Sequence, residues 1–165
     1  MKNIYDIFGI GLPRTGSSSL AKALRTLGYK GENYCMLQNQ EFKEEKPSFR
    51  VDNSFFNIYK ELFLEYPNSK FILTTREDNS WRESINKFSM ITKSNAGLPH
   101  INIYTQEVLK FFSNCGALRN LLVVDLFDNN CNCECKWKNL YEFLGFDSQI
   151  PMIKKLGIFP HVISW

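Results

Sequence analysis

The sequence has no long apolar run. Nothing in its 165 residues approaches the about 20 consecutive apolar positions of a membrane-spanning helix, so no membrane partner is expected. It also has little net charge: 20 Lys and Arg stand against 17 Asp and Glu, a balance of +3. With no basic stripe interleaved with aromatics, nucleic acid is not an expected partner either. The first apolar run is short and leads straight into glycines, unlike a secretory leader, and the expected compartment is the cytosol. No repeat or low-complexity stretch breaks the chain, and its length and 44% hydrophobic content suit a single domain, residues 1–165. Cysteines are few and odd in number: Cys35, Cys115, Cys131, Cys133 and Cys135. The run "CNCEC" lacks the C-x2-C spacing of zinc sites, has no histidine nearby, and as an extended segment would point alternate residues to opposite sides. Free thiols on a loop, with no metal, are the expectation for Cys131, Cys133 and Cys135.

One further absence is local. "GIGLPRTGSSSL" has the glycine spacing of a phosphate-binding loop in Gly11 and Gly16, but Ser17 stands where an ATP-binding loop carries lysine. That lysine neutralises the β and γ phosphates, so ordinary triphosphate hydrolysis is disfavoured. "LLVVD", ending at Asp125, imitates a magnesium-binding strand, though an Asp there also serves as a turn residue. A small nucleotide kinase stays open as an alternative.

The rest of the chain supplies a frame for that loop. "NIYDIFGIG" reads as a buried strand, and Leu20, Ala23, Leu24 and Leu27 mark a helix from Ser17 that ends at Gly28. Apolar positions from Phe55 to Tyr66 predict a second helix, stopped by Pro67. "KFILTT" is a strand, followed by a helix with a Ser80/Glu83 capping box and Trp81, Ile85 and Phe88 on its apolar face. Residues 92–102 read as a loop, "IYTQEVLKFF" as a helix and "LLVVDL" as a strand. A last helix carries Trp137, Leu140, Tyr141 and Leu144 up to Gly145. Strands alternating with helices predict an α/β fold, a parallel sheet flanked by helices. In such sheets ligands bind at the carboxyl ends of the strands, where both the glycine loop and Arg76 fall.

A glycine turn entering a helix aims backbone N–H groups and the positive end of the helix dipole at one point. Thr15, Ser17, Ser18 and Ser19 add hydroxyls, and Arg14 adds a full charge. Arg76 ends a strand and is followed eight residues later by Ser84, offering a second anion grip.

"GLPRTGSSSL" together with Arg76 and Ser84 resembles the sulfotransferases, in the branch described as P-loop sulfotransferase-like. "VDNSFFNIYKELFLEYPNSKFILTTREDNSWRESI", "LLVVDL", "WKNLYEFLGF" and "FPHV" extend the resemblance over roughly residues 4–162. The resemblance implies a P-loop-like three-layer sandwich. It further implies metal-independent, in-line transfer of a sulfuryl group from 3′-phosphoadenosine 5′-phosphosulfate (PAPS) to a hydroxyl or amine, leaving adenosine 3′,5′-bisphosphate (PAP). Arg14, Thr15, Gly16, Ser17, Ser18 and Ser19 would hold the 5′-phosphosulfate, and Arg76 with Ser84 the 3′-phosphate. Arg14 would also stabilise the leaving phosphate. Asp52, an Asp before a helix as in that branch, would be the general base, with helix capping as its other reading; His100 is the alternative base. Where many members stack adenine on an aromatic, this chain has Ser19, and their Gly- and Lys-rich C-terminal segment is not evident. A non-catalytic PAP-binding relic therefore stays open, as do the acceptor and the oligomeric state.

Overall fold

A computed structural model of the chain describes residues 7–34, 49–92, 97–146, 153 and 155–162. Its strands are β1 (Ile7–Gly9), β2 (Gly31–Tyr34), β3 (Phe49–Asp52), β4 (Lys70–Thr75) and β5 (Leu121–Asp125). They form one parallel sheet in the order β2-β3-β1-β4-β5. The helices are α1 (Ser17–Thr26), α2 (Tyr59–Glu65), α3 (Asp78–Thr92), α4 (Ile101–Asn114) and α5 (Cys133–Leu144).

β1 is central: Phe8 lies opposite Arg50 on one side and Phe71 on the other. The period of two along a strand sends Phe8, Phe71 and Leu73 to one face, and Ile7, Ile72 and Val124 to the other. Tyr59, Phe63, Trp81, Tyr104 and Phe112, from α2, α3 and α4, bury the first face. Leu20 and Leu24 of α1, with Trp137 and Leu140 of α5, bury the second. Covering both faces is what the near-continuous apolar strands required. The fold is thus the expected α/β sheet between two helical layers.

Four local differences have physical causes. β2 and β3 are short and partly polar, and carried no strand signal. The helix expected over Phe55–Tyr66 is interrupted: a 3-10 turn covers Phe55–Asn57, and Ile58 (φ −129°, ψ 13°) leaves the helical path before α2. Phe55 then packs edge-on against Phe8 at 5.9 Å, whereas Ile58 is exposed. α3 starts at Asp78, before the expected capping box, because the Glu77 carboxylate accepts the N–H groups of Asn79 (3.0 Å) and Ser80 (2.8 Å). Two carboxylate oxygens satisfy two end amides where the Ser80 hydroxyl would serve one.

The fourth concerns the cysteines. "CNCEC" leads into α5, whose first turn holds Cys133–Cys135 with Asn132 capping the Cys135 amide (2.9 Å), and is not an extended segment throughout. The turn into the helix sets Cys131, just before the cap, beside Cys135 in the first turn, and the two form a disulfide in place of the expected free thiols. Cys133 and Cys115 are free and exposed; Cys35 lies outside the described residues.

Candidate functional site

The segment between β1 and α1 is fixed from outside by its carbonyl groups. Tyr104 Oη donates to the Ile10 carbonyl (2.7 Å), Thr15 Oγ1 to Leu12 (2.6 Å), Trp81 Nε1 to Pro13 (2.9 Å) and Arg76 Nη1 to Arg14 (3.4 Å). Burial holds the Tyr104 phenol well above its ordinary pKa, so it remains a neutral donor. Thr74 Oγ1 lies 2.7 Å from Thr15 Oγ1 and completes the buried support. With those carbonyls bonded away, the first turn of α1 meets the opening without a side-chain cap. Its end amides and dipole attract an anion there.

Two glycines permit this path. Gly16 has φ +102°, a left-handed conformation in which a side chain is strained. A Cβ on Gly11 would come within 2.0 Å of Thr74 Oγ1. Arg14 is itself left-handed, at φ +70°. That turn directs its guanidinium toward α3, where Nε donates to Ser84 Oγ (3.0 Å) and the group faces the Phe88 ring.

Arg76 follows β4 directly. Its guanidinium lies on the Phe127 ring, 4.2 Å from the centroid, and its buried Nε has no partner among the described residues. Its pKa is lowered, first by burial and then by the charge of Arg14, while Asp125, Glu83 and Glu77 oppose the shift. Two guanidiniums thus share a partly desolvated site, a combination that an incoming anion relieves.

These features surround one cavity of about 280 Å³ at the carboxyl edge of the sheet. Arg14, Gly16, Ser17, Ser18, Arg76 and Ser84 line it together, although they come from the glycine loop, α1, the segment after β4 and α3. Thr15 and Ser19 do not line it. Thr15 is turned into the buried threonine pair, and the Ser19 hydroxyl accepts the Val162 amide (2.9 Å). Asp52 is also outside the lining; its carboxylate accepts Ser54 N (2.8 Å) and Oγ (2.7 Å) and lies 3.4 Å from Arg50. That is the turn-forming role, and it sets the next residue, Asn53, into the cavity wall. His100 caps α4, with Nδ1 accepting the Asn102 amide (3.3 Å) and Nε2 3.3 Å from Asp78. Asp125 accepts the Phe127 amide (2.8 Å), a turn role as well.

Glu83, Lys87, Phe127 and His161 line the cavity without having been singled out as site residues. Glu83 and Lys87 had a signal, since they share a helical stripe with Ser84. Phe127 had none and His161 only its place in "FPHV", because their approach depends on where the chain returns after β5 and α5.

The sequence matches the model of the sulfotransferase domain family in two segments, residues 6–46 and 45–144. No curated protein sequence matches it. Among solved structures, a sulfotransferase from Alicyclobacillus acidocaldarius superposes with a TM-score of 0.63 at 10% identity, over 98% of this chain and 85% of that one. The mouse sulfotransferase SULT7A1, solved with PAP, gives a TM-score of 0.56 at 14% identity, over 94% of this chain and 63% of the mouse chain. At such identities the superpositions speak for the fold, while the sequence match extends across β1, the glycine loop, β4 and α5; the chain belongs to the sulfotransferase-domain family.

Proposed function

We propose that the cavity binds PAPS and that the chain, acting as one domain, passes its sulfuryl group to a hydroxyl or amine acceptor. The observation that carries this reading is two guanidiniums, from different parts of the chain, lining one cavity together with hydroxyls and a helix start. In this reading Arg14 and the uncapped start of α1 form one grip; Arg76, with its unpartnered Nε, and Ser84 form the other. A ligand with a 5′-anion and a 3′-phosphate uses both, whereas a nucleoside triphosphate leaves the second unused. PAP bound to the mouse relative is consistent with this choice.

Bound PAPS supplies the activated sulfuryl group and a bisphosphate leaving group. The residues of this chain supply position and charge. Ser17 and Ser18, with the α1 amides, hold the 5′ end. Arg14 moves from Ser84 toward the developing charge on the leaving phosphate, and Ser84 is thereby released to join Arg76 at the 3′-phosphate. In this reading Phe127, already against Arg76, offers the adenine an aromatic wall in place of the one Ser19 lacks.

A second reading, nucleotide binding without transfer, is favoured by one observation: the carboxylate of Asp52 and the imidazole of His100 are both engaged in structural bonds outside the cavity. Titration calorimetry with PAP, AMP and magnesium-ATP tests the shared part of both readings. PAP is expected to bind best, and Arg76→Ala to cost about 2–3 kcal/mol, roughly 30- to 150-fold. Preference for magnesium-ATP would overturn the donor site; PAP binding without turnover of PAPS across an acceptor panel would favour the second reading.

A further inference from the structure

Residues 157–162 return from the flank of α5 to the open edge of the sheet. Trp137 Nε1 donates to the Gly157 carbonyl (3.0 Å), the Phe159 ring packs on Trp137 at 4.6 Å, and the Val162 amide donates to Ser19 Oγ (2.9 Å). These three anchors hold a short strap in place. Between the last two anchors stands His161, exposed and lining the anion cavity. Its ring meets Phe127 edge-on at 5.5 Å, and the same Phe127 ring carries the Arg76 guanidinium. His161 and Arg76 are therefore positioned by one shared aromatic side chain.

We propose that His161 is an anion contact of this cavity that engages ligand as the imidazolium, so that nucleotide binding takes up a proton. This rests on the reading that the cavity holds an adenosine bisphosphate. Histidine is the side chain that gains its charge just below neutral pH, and small changes in surroundings move that transition. Charged groups from several elements share the cavity. Arg14 comes from the glycine loop, Arg76 from just after β4, and Glu83 and Lys87 from α3; Asp125, which accepts the Phe127 amide at the end of β5, and Glu77 act on Arg76. From α1 the lining is Ser17 and Ser18. A bound bisphosphate adds negative charge beside the ring, and the imidazole takes its proton from the solvent as the anion arrives. No covalent step is involved.

The test is PAP titration of the wild-type chain, His161→Gln and Arg76→Ala, in two buffers of different ionisation enthalpy at about neutral pH, and then from about pH 6 to about pH 8.5. The wild type is expected to take up a fraction of a proton and to lose about tenfold in affinity toward the alkaline end. In His161→Gln the uptake should vanish, with affinity near the wild-type alkaline value throughout. Phosphate ionisation in the ligand, with a pKa of about 6, contributes with the opposite sign and equally in both proteins. The difference between them therefore isolates the imidazole. Equal proton uptake and equal pH slopes in wild type and His161→Gln overturn the inference alone, provided Arg76→Ala still weakens binding. If the wild type does not bind PAP, the donor site falls and the inference with it. Because His161 is exposed, the Gln variant should unfold at the wild-type temperature, and a wild-type midpoint excludes a folding defect as the cause.

Discussion

The two halves of the cavity are built on opposite plans. The half between β1 and α1 is mostly backbone: two glycines, a left-handed arginine and carbonyls bonded to Tyr104, Thr15, Trp81 and Arg76. The half between β4 and α3 is made of side chains, Arg76 just past a regular strand and Ser84 on a regular helix. A backbone site is set by the whole surrounding fold, while a side-chain site is set by its own residues. The first should therefore fail through folding and the second through affinity.

Gly11→Ala is the severest way to break that contrast. The new methyl would stand 2.0 Å from Thr74 Oγ1 and 2.7 Å from both Thr15 Oγ1 and the Thr74 carbonyl. The buried threonine pair has no room to give, and the expected cost is about 3 kcal/mol or more. Denaturant unfolding should show the loss without ligand. Unchanged stability would mean that the loop is less fixed than its bonding indicates.

Ser84→Ala sharpens the other side. It removes the acceptor of Arg14 Nε and one proposed ligand hydroxyl, but no packing. Unfolding should be nearly unaffected, while PAP affinity falls about fivefold, the effect of one hydrogen bond of about 1 kcal/mol. A stability loss without an affinity loss would reverse the assignment of plans.

The smallest effect is at Glu77, which starts α3 beside the second half. Hydrogen bonds from the amides of Ser80 and then Asn79 hold its carboxyl below the ordinary value of 4.5. A depressed folded-state value gives stabilisation that is complete above 4.5 and is lost as pH falls through the folded-state pKa. Glu77→Gln, which keeps an acceptor but does not titrate, should make acid unfolding less steep below about pH 4.5. An acid limb identical to the wild type would show that the cap contributes nothing.

The same division explains what the sequence revealed. β4 is found where "KFILTT" places it, and Gly28 and Gly145 lie just past α1 and α5, because local periodicity and end residues determine them. The glycine spacing identifies the loop, and the eight-residue interval identifies Arg76 with Ser84 as a second pair facing the same edge. Hydroxyl direction was not legible. Thr15 and Ser19 have the residue types of an anion loop, yet one supports Leu12 and the other holds Val162, through partners 59 and 143 residues away in the case of Thr74 and Val162. Asp52 and His100 were ambiguous for the same reason, since a carboxylate or imidazole beside a helix start serves a turn as readily as a proton transfer. The edge strands β2 and β3 escaped because short, partly polar segments become strands only by pairing with β1.

The bond between Ser19 and Val162 has a consequence for the order of assembly. It joins positions 143 residues apart, and the Arg14–Ser84 bond spans 70. Contacts of such separation form against a large loop-closure entropy and belong late in folding. During synthesis the glycine loop leaves the ribosome well ahead of its strap, which follows it by 143 residues at the Ser19–Val162 bond. The anion cavity is completed only after residue 162 has been made, so a nascent chain carries the loop long before it has the wall that contains it.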